Sequence, residues 1–570
     1  MIRAHHPGQR ETVAAADGTL QRPPLYTNPH DAYPPLVRRR LFIVSFVALG
    51  AAPRATAHAQ CVDRDAIVGR VVVVGSTTDD LRRIAQDLGR CDTRGSLIRS
   101  ALSLTGPLDS AMHPRIAPVL PIVDVTYNSQ LPFSIDDGAL WAGRGLSTSI
   151  AAGGRASIGP LSISIAPELV AEQNRVFQVL PSNTAGRSPF ASPWHSGIES
   201  ADLPLRFGTN ARVELFPGQS WIELGEGPVG IGVSSDNQWW GPAMLNAIVM
   251  SDNAPGIPQA FVRSRRPIAT PIGDVEFRWI IGALTESQFF DTLTSNDLRS
   301  LNGIVATVRV PFDSGLTLGV ERTVYAPVSS RGAILSHAFD VITRWNQTAD
   351  TLAPTPKHPS DQLFGLFGRW VFPSAGFEVY AEWAKMFPPG LREMLVAPQT
   401  HQGYTLGLQW VRPLTRERLL RVQAELSTLE QTPAEPRITM PSFYTSRFVP
   451  QGYTQRGQAI GAPIGPGSSS QWLASDYVAP RWRAGIELGR IRWDDDAYYR
   501  TPNSAEFVAH DVSLFAGLRA GATAYRTNVD AELVTMKRLN YLFQNSRSGF
   551  EQDRGFDLHN LTLRIRVAPR

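Results

Sequence analysis

The most informative absence in this 570-residue chain is a long apolar run anywhere beyond residue 60. A helix that spans a membrane needs about 20 consecutive apolar residues, and no later segment approaches that length. Such a chain can still cross a membrane as a closed β-barrel, because a barrel satisfies its backbone hydrogen bonds without water. A membrane protein built from spanning helices is therefore excluded.

Motifs of catalysis are also missing. The sequence contains no H-E-x-x-H, no G-x-S-x-G and no phosphate-binding loop, and its eleven histidines are scattered. Asp494-Asp495-Asp496 could bind a cation, but consecutive residues of a strand point to opposite faces, and the spacing misses the calcium loop. An acidic turn that is solvated or paired with arginine is the favoured interpretation. We expect a protein that is not an enzyme and that needs no cofactor or metal.

A basic excess is absent once the predicted leader is set aside. The chain has 55 basic and 51 acidic residues, of which residues 1–59 hold seven and three, so the rest is formally neutral. Nucleic acid is therefore not an expected partner. Lysine is almost absent, with only Lys357, Lys385 and Lys537. Two explanations for this shortage stay open. One is genomic base composition; the other is that arginine is used because its guanidinium group binds carboxylates with two hydrogen bonds, in a barrel lumen or on acidic sugars.

The N-terminal 59 residues have the pattern of a leader with a signal peptide. Arg38-Arg39-Arg40 precedes a short apolar stretch at 41–52, and Ala57-His58-Ala59 fits a cleavage site before Gln60. Residues before Arg38 are either an extended leader or the result of a start codon assigned too early. We expect bacterial export through the inner membrane with cleavage between Ala59 and Gln60.

Residues 60–115 predict a small α-rich periplasmic region. Ser76 precedes a helix start, a second short helix is expected over 95–104, and residues 71–74 form a β-type run. Cys61 and Cys91 are the only cysteines, and in an exported protein they predict a disulfide, which stabilises by about 3–4 kcal/mol. Two buried free thiols are the alternative.

From about residue 120 to the end, apolar and polar residues alternate. In the last segment Leu561 and Leu563 lie on one face and Arg564 and Arg566 on the other, and Glu276 and Arg278 alternate with apolar neighbours in the same way. Roughly 450 residues leave room for about 16–20 membrane strands. The sequence predicts an all-β fold, a transmembrane antiparallel β-barrel over 120–570 with a polar lumen. A lumen cross-linked by paired arginines would be plugged, whereas a lumen without such filling would be a water channel, and the sequence leaves both open.

Tryptophans lie in or near the ends of these strand-like segments. An aromatic girdle at the membrane interface would place them there, although the core of a β-sandwich uses tryptophan in the same positions. The residues concerned are Trp279, Trp370, Trp383, Trp410 and Trp493.

Several motifs resemble the Wzi capsule-assembly family. The most specific are Trp239-Trp240-Gly241-Pro242 and Ser251-Asp252-Asn253, and weaker pieces occur in the family's order from about residue 120 to the C-terminus. This resemblance implies an outer-membrane barrel of about 18 strands with a small periplasmic helical part. It further implies a non-catalytic lectin that anchors capsular or related polysaccharide at the cell surface.

Four residues are candidates for glycan contact. Trp239 and Trp240 are able to stack on sugars, but they serve equally as packing or girdle residues, which is the favoured interpretation. Tyr453 and Arg456, beside a long Gly/Ser-rich loop, are better placed for a surface glycan. The expected partners are surface polysaccharide and outer-membrane lipid, and we expect a monomer.

Two other functions fit the same pattern. A porin-like transport channel, for small solutes or glycan export, needs an open lumen. A secreted all-β glycan hydrolase or lyase would use the alternation to build a sandwich or propeller core. The first would conduct ions across a bilayer, and the second would be soluble without detergent.

Overall fold

The computed structural model describes residues 72–105, 115–344, 359–386, 396, 400–431, 441–500, 509–544 and 556–569. All of them lie in one compact unit, 58–570. The leader, the Ala59/Gln60 cleavage site and Cys61 fall outside the described residues. Signal cleavage and the Cys61–Cys91 disulfide therefore stay predictions.

Eighteen antiparallel strands, counted in the described part of the chain, close into a barrel whose first strand pairs with its last. Three of them are interrupted. In chain order they are β1 Arg115–Asn128, β2 Gly145–Ile158, β3 Leu161–Ile165 with Glu168–Glu172, β4 Arg212–Phe216 with Trp221–Glu226, β5 Val229–Ser234, β6 Gln259–Ser264 with Ile268–Thr270, β7 Gly273–Thr285, β8 Leu298–Arg309, β9 Leu316–Pro327, β10 Asp361–Phe372, β11 Phe377–Met386, β12 Gln402–Pro413, β13 Leu419–Thr428, β14 Ser469–Ala479, β15 Trp482–Trp493, β16 Asp511–Ala524, β17 Thr527–Leu539 and β18 Leu558–Pro569. The predicted all-β barrel of about 18 strands is confirmed.

The two ends of the barrel differ in their connections. At the short-turn end, hairpins such as 159–160, 227–228 and 525–526 join strands through two residues. Gly159 and Gly227 begin such turns with φ of +53° and +64°, a conformation that glycine adopts without steric cost. At the long-loop end, connections such as 173–211, 235–258 and 429–468 are many residues long.

Strand alternation places apolar side chains outside and polar side chains inside, as the sequence predicts. Leu561 and Leu563 of β18 are exposed on the outer wall, whereas Thr562 between them is buried. Arg278 of β7 points inward and is fully buried. The outer wall is therefore an apolar surface around a polar and packed interior.

Four of the five tryptophans singled out above lie on this outer face, and one does not. Trp370 of β10 is exposed beside the short-turn end, where its ring lies 4.8 Å from that of Phe372. Trp493 at the end of β15 instead points into the barrel, donates to Ser513 at 2.8 Å and lies under Arg538. The girdle interpretation was wrong for Trp493, because its position in the alternation is an inward one.

The N-terminal region forms helix α1, Thr77–Asp87, and helix α2, Ala101–Thr105. Ser76 is the N-cap of α1, and its hydroxyl accepts from the backbone of Asp79, as the sequence predicts. The predicted second helix was wrong over its first half, because Ile98–Ser100 is a strand that pairs with Gln238–Trp240. Residues 72–74 do not form a strand but pack against α2 and Trp239.

Helix α1 lies in the short-turn end of the barrel and is held there by ion pairs. Asp80 pairs with Arg421 of β13 and with Arg483 of β15, the second at 3.0 Å, and Arg83 pairs with Glu378 of β11 at 2.6 Å. Burial alone would raise the pKa of Asp80, but the two guanidinium groups outweigh it and lower the pKa to about 2.

Smaller helices lie at the long-loop end: 3₁₀ turns at Gly332–His337 and Tyr541–Phe543, a short helix at Asp340–Thr343, and helix α3, Asp495–Arg500. Within the described ranges, each helix is too short or too polar to cross a membrane by itself.

Because the folded pKa of Asp80 lies below its ordinary value, its contribution to stability is present above about pH 4 and is lost as the pH falls toward 2. We expect Asp80→Asn to lower the free energy of unfolding by about 2 kcal/mol at pH 7 and by little at pH 2. Urea denaturation in detergent at both pH values measures this. Glu417→Gln, in an exposed turn, is the control, and equal losses at both pH values would contradict the ion-pair explanation.

Candidate functional site

The connection between β5 and β6, residues 235–258, folds into the lumen, and we call it the inner segment. Its short strand carries Trp239 and Trp240 and pairs with Ile98–Ser100, so the N-terminal region and the inner segment form one ribbon. Trp240 is 0% exposed and packs on Gly303 of β8, where a β-carbon would come within 2.8 Å of the indole. The lumen wall is thus shaped to receive this ring.

Two carboxylates of the barrel wall hold the backbone of the inner segment. Glu382 of β11 accepts from the N–H groups of Ala243 and Ile248 at 2.8 and 3.0 Å. Glu425 of β13 accepts from Met244 at 2.6 Å and from Asn246 at 2.8 Å. Each carboxylate thus accepts from at least two backbone donors, so the inner segment is held to the wall at several points along residues 243–248.

Residues 441–464 of another long connection also turn inward and pack on the inner segment. Tyr444 and Tyr453 are fully buried, with ring centroids 5.9 Å apart. Tyr444 donates to the carbonyl of Ile248 at 2.6 Å, and Tyr453 donates to that of Val249 at 2.9 Å. Together the two segments form a plug in the middle of the barrel.

Arginines tie the remaining lumen together. Arg263 of β6 donates two hydrogen bonds to Glu223 of β4, at 2.9 and 3.0 Å. Arg369 of β10 donates both to Glu378 and to Asp87 of α1. Guanidinium groups suit this role because their planar donors match a carboxylate. Among the described residues, the plug and these arginine pairs occupy much of the lumen.

A chamber of about 330 Å³ persists between α1 and the wall formed by β13–β18. Arg483, Arg564 and Arg566 line it, and each has a carboxylate partner: Asp530 at 2.9 Å, Glu532 at 3.2 Å and Asp124 at 2.5 Å, respectively. These side chains keep part of their surface exposed, so the chamber is polar and open to water.

The four residues predicted to contact glycan do not lie together. Trp239, Trp240 and Tyr453 belong to the plug and are buried, so the structure supports the packing interpretation of the two tryptophans. Arg456 belongs to the same segment of the plug as Tyr453, but its side chain remains partly exposed. Its guanidinium pairs with Glu214 and lies 5.0 Å from the ring centroid of Phe216.

A different aromatic group lies at the surface of the long-loop end, and we call it the rim patch. Tyr498, Tyr499 and His510 have ring centroids 4.2 to 5.8 Å apart. Phe543 links Tyr498 to Trp194, at 6.0 and 5.3 Å. Tyr499 is 63% exposed. The sequence analysis did not single out these rings, although Tyr498 and Tyr499 follow the acidic run 494–496 closely in the chain.

Polar side chains with fixed partners surround the rim patch. Arg500 lies 3.6 Å from Glu199 and donates to Ser442 at 3.1 Å. His195 meets Asp494 at 2.6 Å, and His510 meets Asp495. An open face of aromatic rings beside oriented donors and acceptors matches a pyranose, which offers apolar C–H faces and a rim of hydroxyls.

The acidic run beside the patch is structural. Asp494 precedes α3 and its carboxylate accepts from the backbone of Ala497 at 3.3 Å, which is the geometry of a helix cap. Asp495 pairs with Arg492, and Asp496 accepts from Gln431. Burial raises the pKa of Asp496 to about 6. Among the described residues, no group of three or more His, Cys, Asp or Glu side chains is placed so that it could hold a metal ion.

Comparisons with known proteins agree with this architecture. The family Capsule assembly protein Wzi matches residues 130–480 of the chain. Wzi of Escherichia coli, described as an outer membrane protein involved in group 1 capsule assembly and a carbohydrate-binding β-barrel, matches at a TM-score of 0.50 and 11% identity. That match covers 79% of this chain and 84% of the other. It shows the fold of an outer-membrane barrel.

More remote likenesses are porins. A BenF-like porin from Pseudomonas fluorescens Pf-5 matches at 9% identity and a TM-score of 0.37, over 80% of this chain and 99% of its own. OccK2 (OpdF) of Pseudomonas aeruginosa, in complex with glucuronate, matches at 7% identity and 0.38, over 80% and 98%. These two support no argument about function. No curated protein sequence matches the chain.

Removal of the two carboxylates that hold the inner segment should open the lumen. We expect Glu382→Ala with Glu425→Ala to leave five backbone N–H groups of this segment without their acceptors and to turn a non-conducting barrel into a leaky one. Conductance in planar bilayers measures this. Glu226→Ala with Glu417→Ala is the matched control, because Glu226 is at the exposed end of β4 and Glu417 is in an exposed turn. A Glu382→Ala/Glu425→Ala variant that conducts no more than this control would show that other contacts hold the plug.

Proposed function

Because this chain belongs to the Wzi capsule-assembly family, we propose that it is an outer-membrane barrel that binds capsular or related surface polysaccharide and anchors it at the cell surface without catalysis. The observation that carries the proposal is a filled lumen below an exposed aromatic rim. Since the plug occupies the middle of the barrel in the part of the chain that the structure describes, the outer surface of the long-loop end is the place where a large ligand can bind.

The orientation of the barrel follows from its connections. Outer-membrane barrels have short turns on the periplasmic side and longer loops outside the cell. The rim patch lies at the long-loop end and therefore faces outward, whereas α1 faces the periplasm. Export by a cleaved signal peptide would deliver the chain to that membrane.

Glycan contact belongs at the rim patch in this proposal. Tyr499 offers an exposed ring, and Tyr498 with His510 continues the surface beside it. Arg500 supplies a cation for an acidic sugar, already positioned by Ser442 and Glu199. Arg456 adds a second exposed cation at the same end, whereas Trp239, Trp240 and Tyr453 act indirectly, by holding the plug.

The two rival functions are less well supported. A transport channel or glycan exporter needs a continuous water-filled lumen, and the plug with its arginine network occupies that space. A soluble hydrolase would bury the apolar faces of its strands, whereas this barrel exposes Leu473, Ile486 and Leu488 on its outer wall. No specific observation favours either rival, and the barrel is proposed to act as a monomer.

Binding to the host's own surface polysaccharide tests the proposal. We expect Tyr499→Ala to weaken binding of the purified glycan by roughly tenfold, since loss of an aromatic contact costs about 1 kcal/mol and leaves neighbouring polar groups less well placed. Tyr525→Ala is the matched control, because Tyr525 is a fully exposed tyrosine in a turn at the opposite end. If the unmodified protein binds the glycan and both variants bind it equally well, the glycan site does not lie at the rim patch.

Deletion of the gene tests the anchoring role in cells. We expect polysaccharide to appear in the medium while its total synthesis is unchanged. The measurement is the ratio of cell-bound to released glycan, with the Tyr525→Ala protein supplied in trans as the control for rescue. Cell-bound glycan that stays at the level of the parent strain would contradict an anchoring role.

A further inference from the structure

A short helical segment lies on the outside of the barrel, where it covers polar groups that would otherwise face lipid. It comprises the two helical turns Gly332–His337 and Asp340–Thr343, and we call it the outer flap. Phe339 of the flap packs 5.3 Å from the ring of Trp279, which is on the outer face of β7. The flap is therefore attached to the wall and does not extend away from it.

Beneath the flap is an arginine in a lipid-facing position. Arg322 of β9 follows Leu318 and Val320 in the outward alternation, and those two residues are 44% and 41% exposed. Arg322 is only 2% exposed. Its partners in the register are Ile304 of β8 and Phe364 of β10, which also belong to the outer face.

The flap supplies the polar contacts that this arginine needs. Arg322 donates to the backbone carbonyls of Val341 and Arg344 and to the side chain of Gln362. The N–H of Val341 in turn donates to Asn302 at 2.9 Å, and Asn302 is outward-facing on β8. A charged side chain on the lipid face of a barrel is destabilising unless it is shielded, and here the flap shields it.

The opposite face of the flap is apolar and exposed. Leu335, Phe339 and Ile342 are 70%, 58% and 52% exposed, one on each helical turn of the flap and one between the two turns. Ile334 and Val341 are buried against the wall. Three large apolar side chains in a row would be unfavourable in water, and on this surface they continue the apolar band of Leu318 and Val320.

We propose that the outer flap inserts Leu335, Phe339 and Ile342 among the acyl chains of the outer leaflet. It acts as an interfacial anchor that fixes the height of the barrel and keeps Arg322 out of contact with lipid. The proposal rests on the membrane location given above, and its occupant is lipid because the flap is continuous with the lipid-facing wall. A second copy of the chain or another protein on this face would be a different outcome of the test.

Spin labels placed on single introduced cysteines in proteoliposomes distinguish these outcomes. Leu335→Cys and Ile342→Cys report on the flap, Leu318→Cys on the barrel wall, and Thr184→Cys on an exposed loop. The unmodified protein gives the background from Cys61 and Cys91. We expect the flap labels to collide with oxygen as often as the Leu318 label, and at least fivefold less often with a water-soluble nickel chelate than the Thr184 label.

Each other result overturns the inference in a recognisable way. If the flap labels collide with the nickel chelate as often as the Thr184 label does, the flap lies in water. A Leu318 label that stays in lipid in the same sample would show that the barrel is nevertheless in the membrane. Protection from both reagents together with spin–spin broadening would identify a second copy as the occupant. A Leu318 label exposed to water would overturn the membrane location itself, and the flap proposal with it.

Discussion

Pairing between arginine and carboxylate in the lumen is the interaction on which the rest of this structure depends. A barrel of about 18 strands encloses a space wide enough for water and solutes, and the chain fills it with its own segments. Glu382 and Glu425 hold the inner segment by its backbone, and Arg369 and Arg421 hold α1 by its acidic side chains. Each guanidinium carries several donors in one plane, so a single arginine can hold a wall strand and α1 at the same time, as Arg369 does with Glu378 and Asp87.

The sequence predicts the wall of the barrel much better than its contents. Alternation assigns Leu561 to the outside and Arg564 to the inside, because one face of each strand meets an apolar and the other a polar environment. The N-cap at Ser76 is likewise a local signal, since the cap and the first turn are adjacent in the chain. Strand number and the outward position of Trp370 follow from the same reasoning.

The packing inside the lumen depends on contacts between residues that are distant in sequence, and the sequence predicted this packing less well than the strands. Ile98–Ser100 has a short helical pattern but becomes a strand, because Gln238–Trp240 offers it an unpaired edge. Trp493 resembles a girdle residue until the register of β15 shows it pointing inward. The rim patch combines Trp194, Tyr498, His510 and Phe543 from three separate connections. No local pattern joins such residues, although the Tyr498-Tyr499 pair was a signal that could have been followed.

The ribbon formed by Ile98–Ser100 and Gln238–Trp240 has a consequence for assembly. Its two halves come from parts of the chain that are more than 130 residues apart, and both end up enclosed by the finished wall. While the seam between β1 and β18 is open, they meet freely in the curved sheet. After the seam closes, they could join only by entry through one end of the cylinder. The geometry therefore favours an order of assembly in which this ribbon forms before β18 pairs with β1.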